Sequence, residues 1–276
     1  VGGGAPCFIV AELGINHNGN LDLCKQLIDA ASLAGANMVK LQKRTVNVVY
    51  TKEELARPRE SPFGFTNGDL KYGLEFNREQ YSEIDSYCRS RKMLWTASPW
   101  DIASVTFLED FDVPCYKVAS ACLTDRKLLH IIRITNKPVI LSTGMSTANE
   151  VLDAYDLFTW DGPPPALLVT TSTYPAKIED LHLARIPTLA SKYPDAVIGY
   201  SGHEVGLWTT LAAVAMGAQI VERHLTLDRS SYGSDQAASL EPHAFKKLVE
   251  EIRTFEQARG TGELRLLDCE RSVREK

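Results

Sequence analysis

Eight short apolar, β-rich runs, each followed by a stretch of helical periodicity, constrain this chain more than any other feature. The runs are residues 8–13 (FIVAEL), 38–42 (MVKLQ), 94–98 (LWTAS), 116–120 (YKVAS), 139–143 (VILST), 166–172 (ALLVTTS), 197–201 (VIGYS) and 219–225 (QIVERHL). Helical patterns fall at 21–36 and near 78–92, 101–112, 125–136, 148–160, 178–193, 206–218 and 242–258. In the first, Leu23, Leu27, Ile28 and Ala31 share a face and Gly35 ends the pattern; Pro242 opens the last and Gly260 closes it. Strict alternation of strand and helix means parallel strands joined by crossover helices. Eight such units predict an α/β fold, the (β/α)8 TIM barrel, as a single catalytic domain over residues 1–276, an ordinary length for a barrel.

Two segments fall outside the repeat. Residues 43–77 form a long βα connection carrying Pro58, Pro62, Gly64, Gly68 and Gly73. A connection of that length on a barrel is expected to cover or line the site. Residues 261–276 read as a charged tail, expected to be partly disordered.

Composition narrows the partners. Apolar residues make up 44% and charged residues 24%, enough for a large core and an ordinary polar surface. A net charge of −5 argues against nucleic acid as the main partner, while leaving room for a local basic pocket. No apolar run approaches the roughly 20 residues that span a bilayer, so no membrane partner is expected. The start, VGGGAPC, lacks the basic and apolar regions of a secretion signal. None of the six cysteines, Cys7, Cys24, Cys88, Cys115, Cys122 and Cys269, stands in a CxxC spacing, and several lie inside apolar patterns. They read as reduced, mostly buried thiols of a cytoplasmic enzyme.

Barrel chemistry gathers at the C-terminal strand ends. The first run ends in Glu12 and leads into GINHNGN, residues 14–20, which brings Asn16, His17 and Asn18 to the same place. The second offers Lys40 and Gln42, two apart and so on one face. The others offer Ser98 with Trp100, Lys117 with Ser120, Ser142 with Thr143, Thr171 and Ser172 with Tyr174, Ser201 with His203, and Glu222 with His224. Two lysines and a ring of hydroxyls facing one cavity suit a small, strongly anionic ligand, since lysine is a point charge matched to phosphate or carboxylate. A strand-end serine can equally cap a helix. A lysine inside an apolar strand has no such bland explanation, because a buried charge needs a partner.

His203 and His224 end neighbouring strands, where two imidazoles can share one divalent ion with water or substrate in its open positions. No HExxH motif or cysteine pair points to a closed zinc site. The Walker loop, a GxGxxG after a strand and the GxSxG elbow are all absent, which sets aside nucleotide binding and triad hydrolysis.

Nine pieces, in order, carry a resemblance: AELGINHNGN (11–20), VKLQ (39–42), SPW (98–100), YKVAS (116–120), LSTGMS (141–146), TSTYP (171–175), IGYSGH (198–203), ERHLTLDR (222–229) and GSDQAASLEP (233–242). The chain resembles the sialic acid synthase family, the N-acetylneuraminate synthases, from residue 8 to about residue 255. The resemblance implies a phosphoenolpyruvate-dependent barrel enzyme, a transferase of carbohydrate biosynthesis. It would condense phosphoenolpyruvate with an unphosphorylated aldose, N-acetylmannosamine or a relative, giving a 2-keto-3-deoxy sugar acid of the sialic acid type and phosphate by C–O cleavage. The product would serve a surface polysaccharide. It further implies that Lys40, Ser98, Lys117, Ser120, Ser142, Ser172 and Ser201 surround phosphoenolpyruvate. Glu12, Gln42, Tyr174 and Asp235 would face the sugar or the reacting centre, and His203 and His224 would bind a divalent metal, Mn2+ or Mg2+. Glu12, Lys40, Lys117, His203 and His224 are the expected catalytic set, with Asn16 and His17 beside the substrate.

The chain departs from the family pattern in three places. Cys122 stands where many members have an acid two residues after the serine of the YKxxS strand, and a thiol is a poorer proton carrier there. Ser172 replaces an asparagine found in some members. The small C-terminal antifreeze-like domain of most members is not expected here, which leaves direct barrel–barrel pairing as the expected route to a homodimer. Competing readings are a synthase for a different or phosphorylated aldose, with Arg44, Arg57 or Arg59 in a second phosphate pocket, Schiff-base aldolase chemistry on Lys40 or Lys117, and a non-catalytic barrel that binds a sugar acid.

Overall fold

The computed structural model describes residues 1–275, and their strands run in chain order as β1 (Phe8–Gly14), β2 (Met38–Lys43), β3 (Pro58–Ser61), β4 (Gly64–Thr66), β5 (Leu94–Pro99), β6 (Tyr116–Val118), β7 (Val139–Ser142), β8 (Ala166–Thr170), β9 (Ile198–Gly202) and β10 (Ile220–His224). All but β3 and β4 form one sheet in the order β5-β2-β1-β10-β9-β8-β7-β6. Every ladder in it is parallel. Its edge strands, β5 and β6, lie side by side and are bridged by the Thr96 hydroxyl, which donates to the Cys115 carbonyl at 2.6 Å. The result is the expected (β/α)8 barrel, with a seam between β5 and β6.

Period-2 alternation along each strand sorts the side chains. Outward residues such as Ile9, Ala11, Leu13, Val39 and Leu41 pack against the helices, for example on Cys24, Leu27, Ile28 and Ala31 of helix Leu21–Ala34. Inward, Val10, Met38, Cys115, Ile140, Leu168 and Ile220 form a separate apolar cluster that fills the lower barrel. Two residues further along the same strands stand Glu12, Lys40, Lys117, Ser142, Thr170 and Glu222. One step of the alternation therefore turns an apolar floor into a polar layer. Register fixes that layer: Glu12 lies opposite both Lys40 and His224, Gln42 opposite Ser98, and Glu222 opposite Ser201.

Some elements differ from expectation. The 178–193 pattern is two pieces, a 3-10 turn Ile178–Asp180 and helix Arg185–Lys192, separated at His182, whose φ of 47° is incompatible with a right-handed helix. The run at 116–120 is strand only to Val118 and then turns as a 3-10 segment, Ser120–Cys122. The 43–77 connection is built of short helices, Val46–Val49, Lys52–Ala56 and Asn67–Leu74, and the antiparallel β3–β4 pair. Its two longer helices are held by capping boxes at Thr51 and Thr66. This connection packs on the GINHNGN turn: a Cβ on Gly19 would overlap the Gly73 carbonyl oxygen. In the tail, Asp268–Arg274 is an exposed helix. Among the described residues all six cysteines are free and all but Cys269 are buried, and no helix is long and apolar enough to cross a membrane.

Candidate active site

A cavity of about 170 Å³ opens at the C-terminal end of the barrel. Of the residues expected there, Glu12, Lys40, Gln42, Ser98, Lys117, Ser120, Ser142, Ser172, Tyr174, Ser201, His203 and His224 all line it. A larger hollow, about 410 Å³, lies at the opposite end among Phe8, Met38, Leu94, Ala166 and Ile220. It is mainly apolar and sits where the strands begin, away from Glu12, Lys40, Lys117 and Glu222.

The cavity floor is a buried charge cluster. Lys40 Nζ lies 2.7 Å from Glu12 Oε2, 3.8 Å from Glu222 Oε2 and 3.1 Å from Ser98 Oγ. Lys117 Nζ lies 3.3 Å from Glu222 Oε1, which also accepts from Ser201 Oγ at 3.0 Å. Gln42 Nε2 donates to Glu12 Oε1 at 3.2 Å. Two lysines facing two carboxylates satisfy the demand that buried charge be paired. The carboxylates are not equivalent. Burial, together with the charge of Glu222, raises Glu12 to about 7 despite Lys40. Burial also opposes ionisation of Glu222, but Lys117 and Lys40 outweigh it and hold that carboxyl well below its usual range. Lys117 is itself lowered by burial, whereas Glu12 and Glu222 outweigh burial at Lys40 and raise it. The two carboxyl groups are thereby pushed apart, Glu12 toward the neutral form and Glu222 toward the ionised one.

Hydroxyls surround the lysines. Ser142 Oγ is buried with no hydrogen-bond partner among the described residues, an unmet donor facing the cavity. Gly144 allows the loop after β7 to pass close by, since a Cβ there would lie 2.5 Å from Ser172 Oγ and 2.8 Å from Ser120 Oγ.

The imidazoles stand at the ends of β9 and β10, beside Glu222 and Glu12. Their ring centroids are 5.3 Å apart, and the Tyr174 ring lies 4.2 Å from His203 and 5.6 Å from His224. His203 Nδ1 bonds the Thr171 carbonyl at 2.7 Å, so it carries the proton and Nε2 is left as an acceptor. His224 Nδ1 is buried without a hydrogen-bond partner, 3.6 Å from Asp235 Oδ2. Burial, with the neighbouring imidazole, lowers His203 to about 3, and burial lowers His224 to about 4. Both rings are neutral near pH 7, the form that ligates metal. A divalent ion fits this donor set: the Thr171 carbonyl fixes one ring and the other has a nitrogen without a hydrogen-bond partner. No group of three or more His, Cys, Asp or Glu among the described residues is arranged to hold an ion, so any ion held here would draw its remaining ligands from water or substrate.

Three expected residues do not line the cavity. Asn16 spends its amide on the Leu225 carbonyl at 2.9 Å and Ser239 Oγ at 2.8 Å, tying the β1 turn to the chain after β10. His17 is buried, stacked on Phe76 at 4.2 Å, and its Nδ1 accepts from Gly19 N at 3.1 Å. Both hold the turn in place instead of facing the hollow. Asp235 sits behind the wall near His224, Glu12 and Gln42, whose polar atoms crowd around Gly14.

Sequence reasoning underused Glu222 and Trp100. Glu222 was visible as the inward partner of His224, two residues earlier, yet it is the carboxylate that both lysines share. Trp100 lines the mouth and carries the Arg44 guanidinium 4.3 Å above its ring. Arg44 also donates to Gln42 Oε1 and lies 3.6 Å from Glu75. Arg57 and Arg59 are exposed and line no part of the cavity. The Cys122 thiol is buried in the core, outside the lining, and burial raises it to about 11.

The sequence matches the NeuB family model over residues 27–264. The chain belongs to the NeuB family. It is 39% identical over 278 residues to N-acetylneuraminate-9-phosphate synthase of Mus musculus, a match covering 100% of this chain and 77% of that protein. It is 34% identical over 261 residues to N,N'-diacetyllegionaminic acid synthase of Campylobacter jejuni, covering 92% of this chain and 78% of the relative. Among solved structures it is similar to the N-acetylneuraminic acid synthetase of Leptospira borgpetersenii in complex with citrate, with a TM-score of 0.89, 32% identity, and coverage of 100% of this chain and 92% of that one. Membership of the NeuB family, and relatives that are synthases of the sialic acid kind, make this chain a sugar-acid synthase by class.

Proposed function

We propose that this enzyme condenses phosphoenolpyruvate with an aldose and water to give a 2-keto-3-deoxy sugar acid and phosphate. The observation that carries this reading is the pair Lys40 and Lys117, buried at the bottom of a hydroxyl-lined cavity beside an unmet Ser142 hydroxyl. That arrangement suits a small trianion. Lys40, Lys117 and the hydroxyls of Ser98, Ser120, Ser142, Ser172 and Ser201 hold its carboxylate and phosphate. The lysines also favour departure of phosphate as an anion.

The steps follow from the charges. C3 of phosphoenolpyruvate attacks the aldehyde carbon, and positive charge develops at C2. Glu222, held ionised, stabilises that charge. Glu12, raised toward neutrality, gives a proton to the aldehyde oxygen as the C–C bond forms. Water adds to C2, giving one proton to the Glu12 carboxylate left by the first transfer, and the C2–O bond to phosphate then breaks as the new hydroxyl proton passes to the departing phosphate. Gln42 and Tyr174 face the sugar, and Asp235 supports that wall. His203 and His224 would hold a divalent ion, Mn2+ or Mg2+, which when bound would supply Lewis-acid polarisation of the aldehyde.

The first choice of aldose is an unphosphorylated N-acetylmannosamine-like sugar. One observation favours a phosphorylated one: Arg44 stacks on Trp100 at the mouth, and its buried Nε has no partner. A relative named for a 9-phosphate product fits that alternative, because condensation leaves the far end of the sugar untouched. The test is phosphate release from phosphoenolpyruvate with Mn2+, across N-acetylmannosamine, mannose, arabinose and N-acetylmannosamine 6-phosphate. Release with one of them, abolished by chelation, supports the reading and names the aldose. Binding of phosphoenolpyruvate with no release for any aldose opposes it.

A further inference from the structure

Among the described residues, the most deeply buried charged pair lies outside the cavity. Arg223 and Glu204 are both fully excluded from solvent. Arg223 Nη1 donates to Glu204 Oε1 at 3.0 Å, to the Gly206 carbonyl at 3.0 Å and to Thr210 Oγ1 at 2.6 Å, while Nη2 donates to the Glu204 carbonyl at 2.6 Å. Glu204 in turn accepts from Thr209 Oγ1 at 2.6 Å, Thr210 Oγ1 at 3.1 Å and Tyr200 Oη at 2.8 Å. No proton-transfer or substrate-holding role uses either residue.

Their places in the chain are telling. Glu204 directly follows His203, and Arg223 directly precedes His224. The β9–β10 ladder pairs Arg223 with Gly202 and ends there, one residue short of both histidines. Beyond that point no β9–β10 pairing fixes one imidazole against the other. The guanidinium spans this gap, with one arm on the Glu204 carboxylate and one on its backbone carbonyl. Gly202 makes room for it: a Cβ there would lie 2.6 Å from Glu204 Oε2 and 3.0 Å from Arg223 Cδ. Because neighbouring side chains on a strand point to opposite faces, a clamp on the outer face sets the inner-face position of the next residue. Apolar residues of similar size commonly stabilise a fold as well as a buried ion pair does, so core packing alone does not explain this one.

We infer that Arg223 and Glu204 are positioning residues that hold His203 and His224 at the separation needed to share one divalent ion. This rests on the metal reading of the two histidines given above. The fork of arginine suits this place, since its two terminal nitrogens reach four acceptors, Glu204 Oε1, Thr210 Oγ1 and the Gly206 and Glu204 carbonyls, one more than the three donors of a lysine can serve.

The test uses the full chain with Arg223→Lys and with the double variant Glu204→Met/Arg223→Met, which removes both charges and leaves none unpaired. Three quantities are measured: the Kd for Mn2+ from the electron paramagnetic resonance of free ion, the Kd for phosphoenolpyruvate without metal, and the imidazole 15N resonances of the metal-free protein. The expected result is a Mn2+ affinity weakened about 10–100-fold in both variants, phosphoenolpyruvate affinity within about twofold of the parent, and altered His203 and His224 resonances. Parent-like Mn2+ affinity and resonances in the double variant would overturn the inference. So would joint loss of Mn2+ and phosphoenolpyruvate binding, which would make the pair a general support of the barrel. A parent protein that binds no Mn2+ sinks the metal reading separately, and the metal-free resonances then still decide whether the pair positions the rings.

Discussion

Glu12 and Lys40 face each other across the β1–β2 ladder, with carboxylate and ammonium 2.7 Å apart and both almost wholly shielded from water. Glu12 is also the ladder partner of His224 on β10. One residue thus joins the charge cluster to the imidazole wall, and the expected behaviour of the site follows from it.

Replacing Lys40 by Met keeps the bulk of the stem and removes the charge. Loss of an electrostatic contact at the reacting centre should lower kcat/KM by at least about 10²–10³-fold. Glu12, relieved of its counter-charge in a buried place, should then take up a proton. Steady-state phosphate release reads the first effect. A variant within tenfold of the parent would remove Lys40 from the mechanism.

Glu12 gives the pH dependence. With a folded-state pKa of about 7, its protonated form declines through neutrality, so a proton-donor role makes kcat/KM fall as pH rises through that range. Glu12→Gln should flatten this limb while lowering the rate. The stability sign is the same: the pKa is raised on folding, so the contribution of Glu12 is complete below pH 4.5 and is lost by about pH 7. A rate limb that persists unchanged in Glu12→Gln belongs to another group.

His17 has the opposite sign. Burial lowers it to about 4 from 6.5, so its stabilising contribution is complete above pH 6.5 and is lost as pH falls toward 4. The loss is on the order of 3 kcal/mol. His17→Asn offers an oxygen to the Gly19 N–H and has nothing to protonate in that window. Urea midpoints from pH 7 to pH 4 should therefore fall less steeply in the variant than in the parent. Parallel slopes would show that His17 does not drive the acid sensitivity.

Much of this was legible in the chain. The alternation predicted the barrel because each unit carries its own signal: a run such as FIVAEL needs two-sided burial, and helix Leu21–Ala34 has a single apolar stripe and a glycine stop at φ 86°. Inward positions at strand ends followed from period 2, which is why most of the expected lining residues share one cavity. Asn16 and His17 misled because they lie in a turn, where chain direction does not fix which way a side chain points. The elements of 43–77 were missed because they are too short to show periodicity; only the capping boxes at Thr51 and Thr66 marked them. The Arg223–Glu204 clamp was illegible because partner choice across two strands depends on register.

Gly144→Ala tests the hydroxyl ring without touching a charge. The added methyl would sit 2.5 Å from Ser172 Oγ and 2.8 Å from both Ser120 Oγ and Thr170 Cγ2, so the hydroxyls must give way. KM for phosphoenolpyruvate should rise about 10-fold or more, a loss of roughly 1.4 kcal/mol of binding, with the melting temperature nearly unchanged. An unaltered KM would place the phosphoenolpyruvate elsewhere.

The most direct measurement is the fate of 18O placed in the bridging position of phosphoenolpyruvate, followed by 31P NMR during turnover with the accepted aldose and Mn2+. Attack by C3 and departure of phosphate from C2 carry the label into inorganic phosphate. Label found instead in the keto group of the product would contradict departure of phosphate from C2, and release that proceeds equally well without any aldose would contradict the condensation.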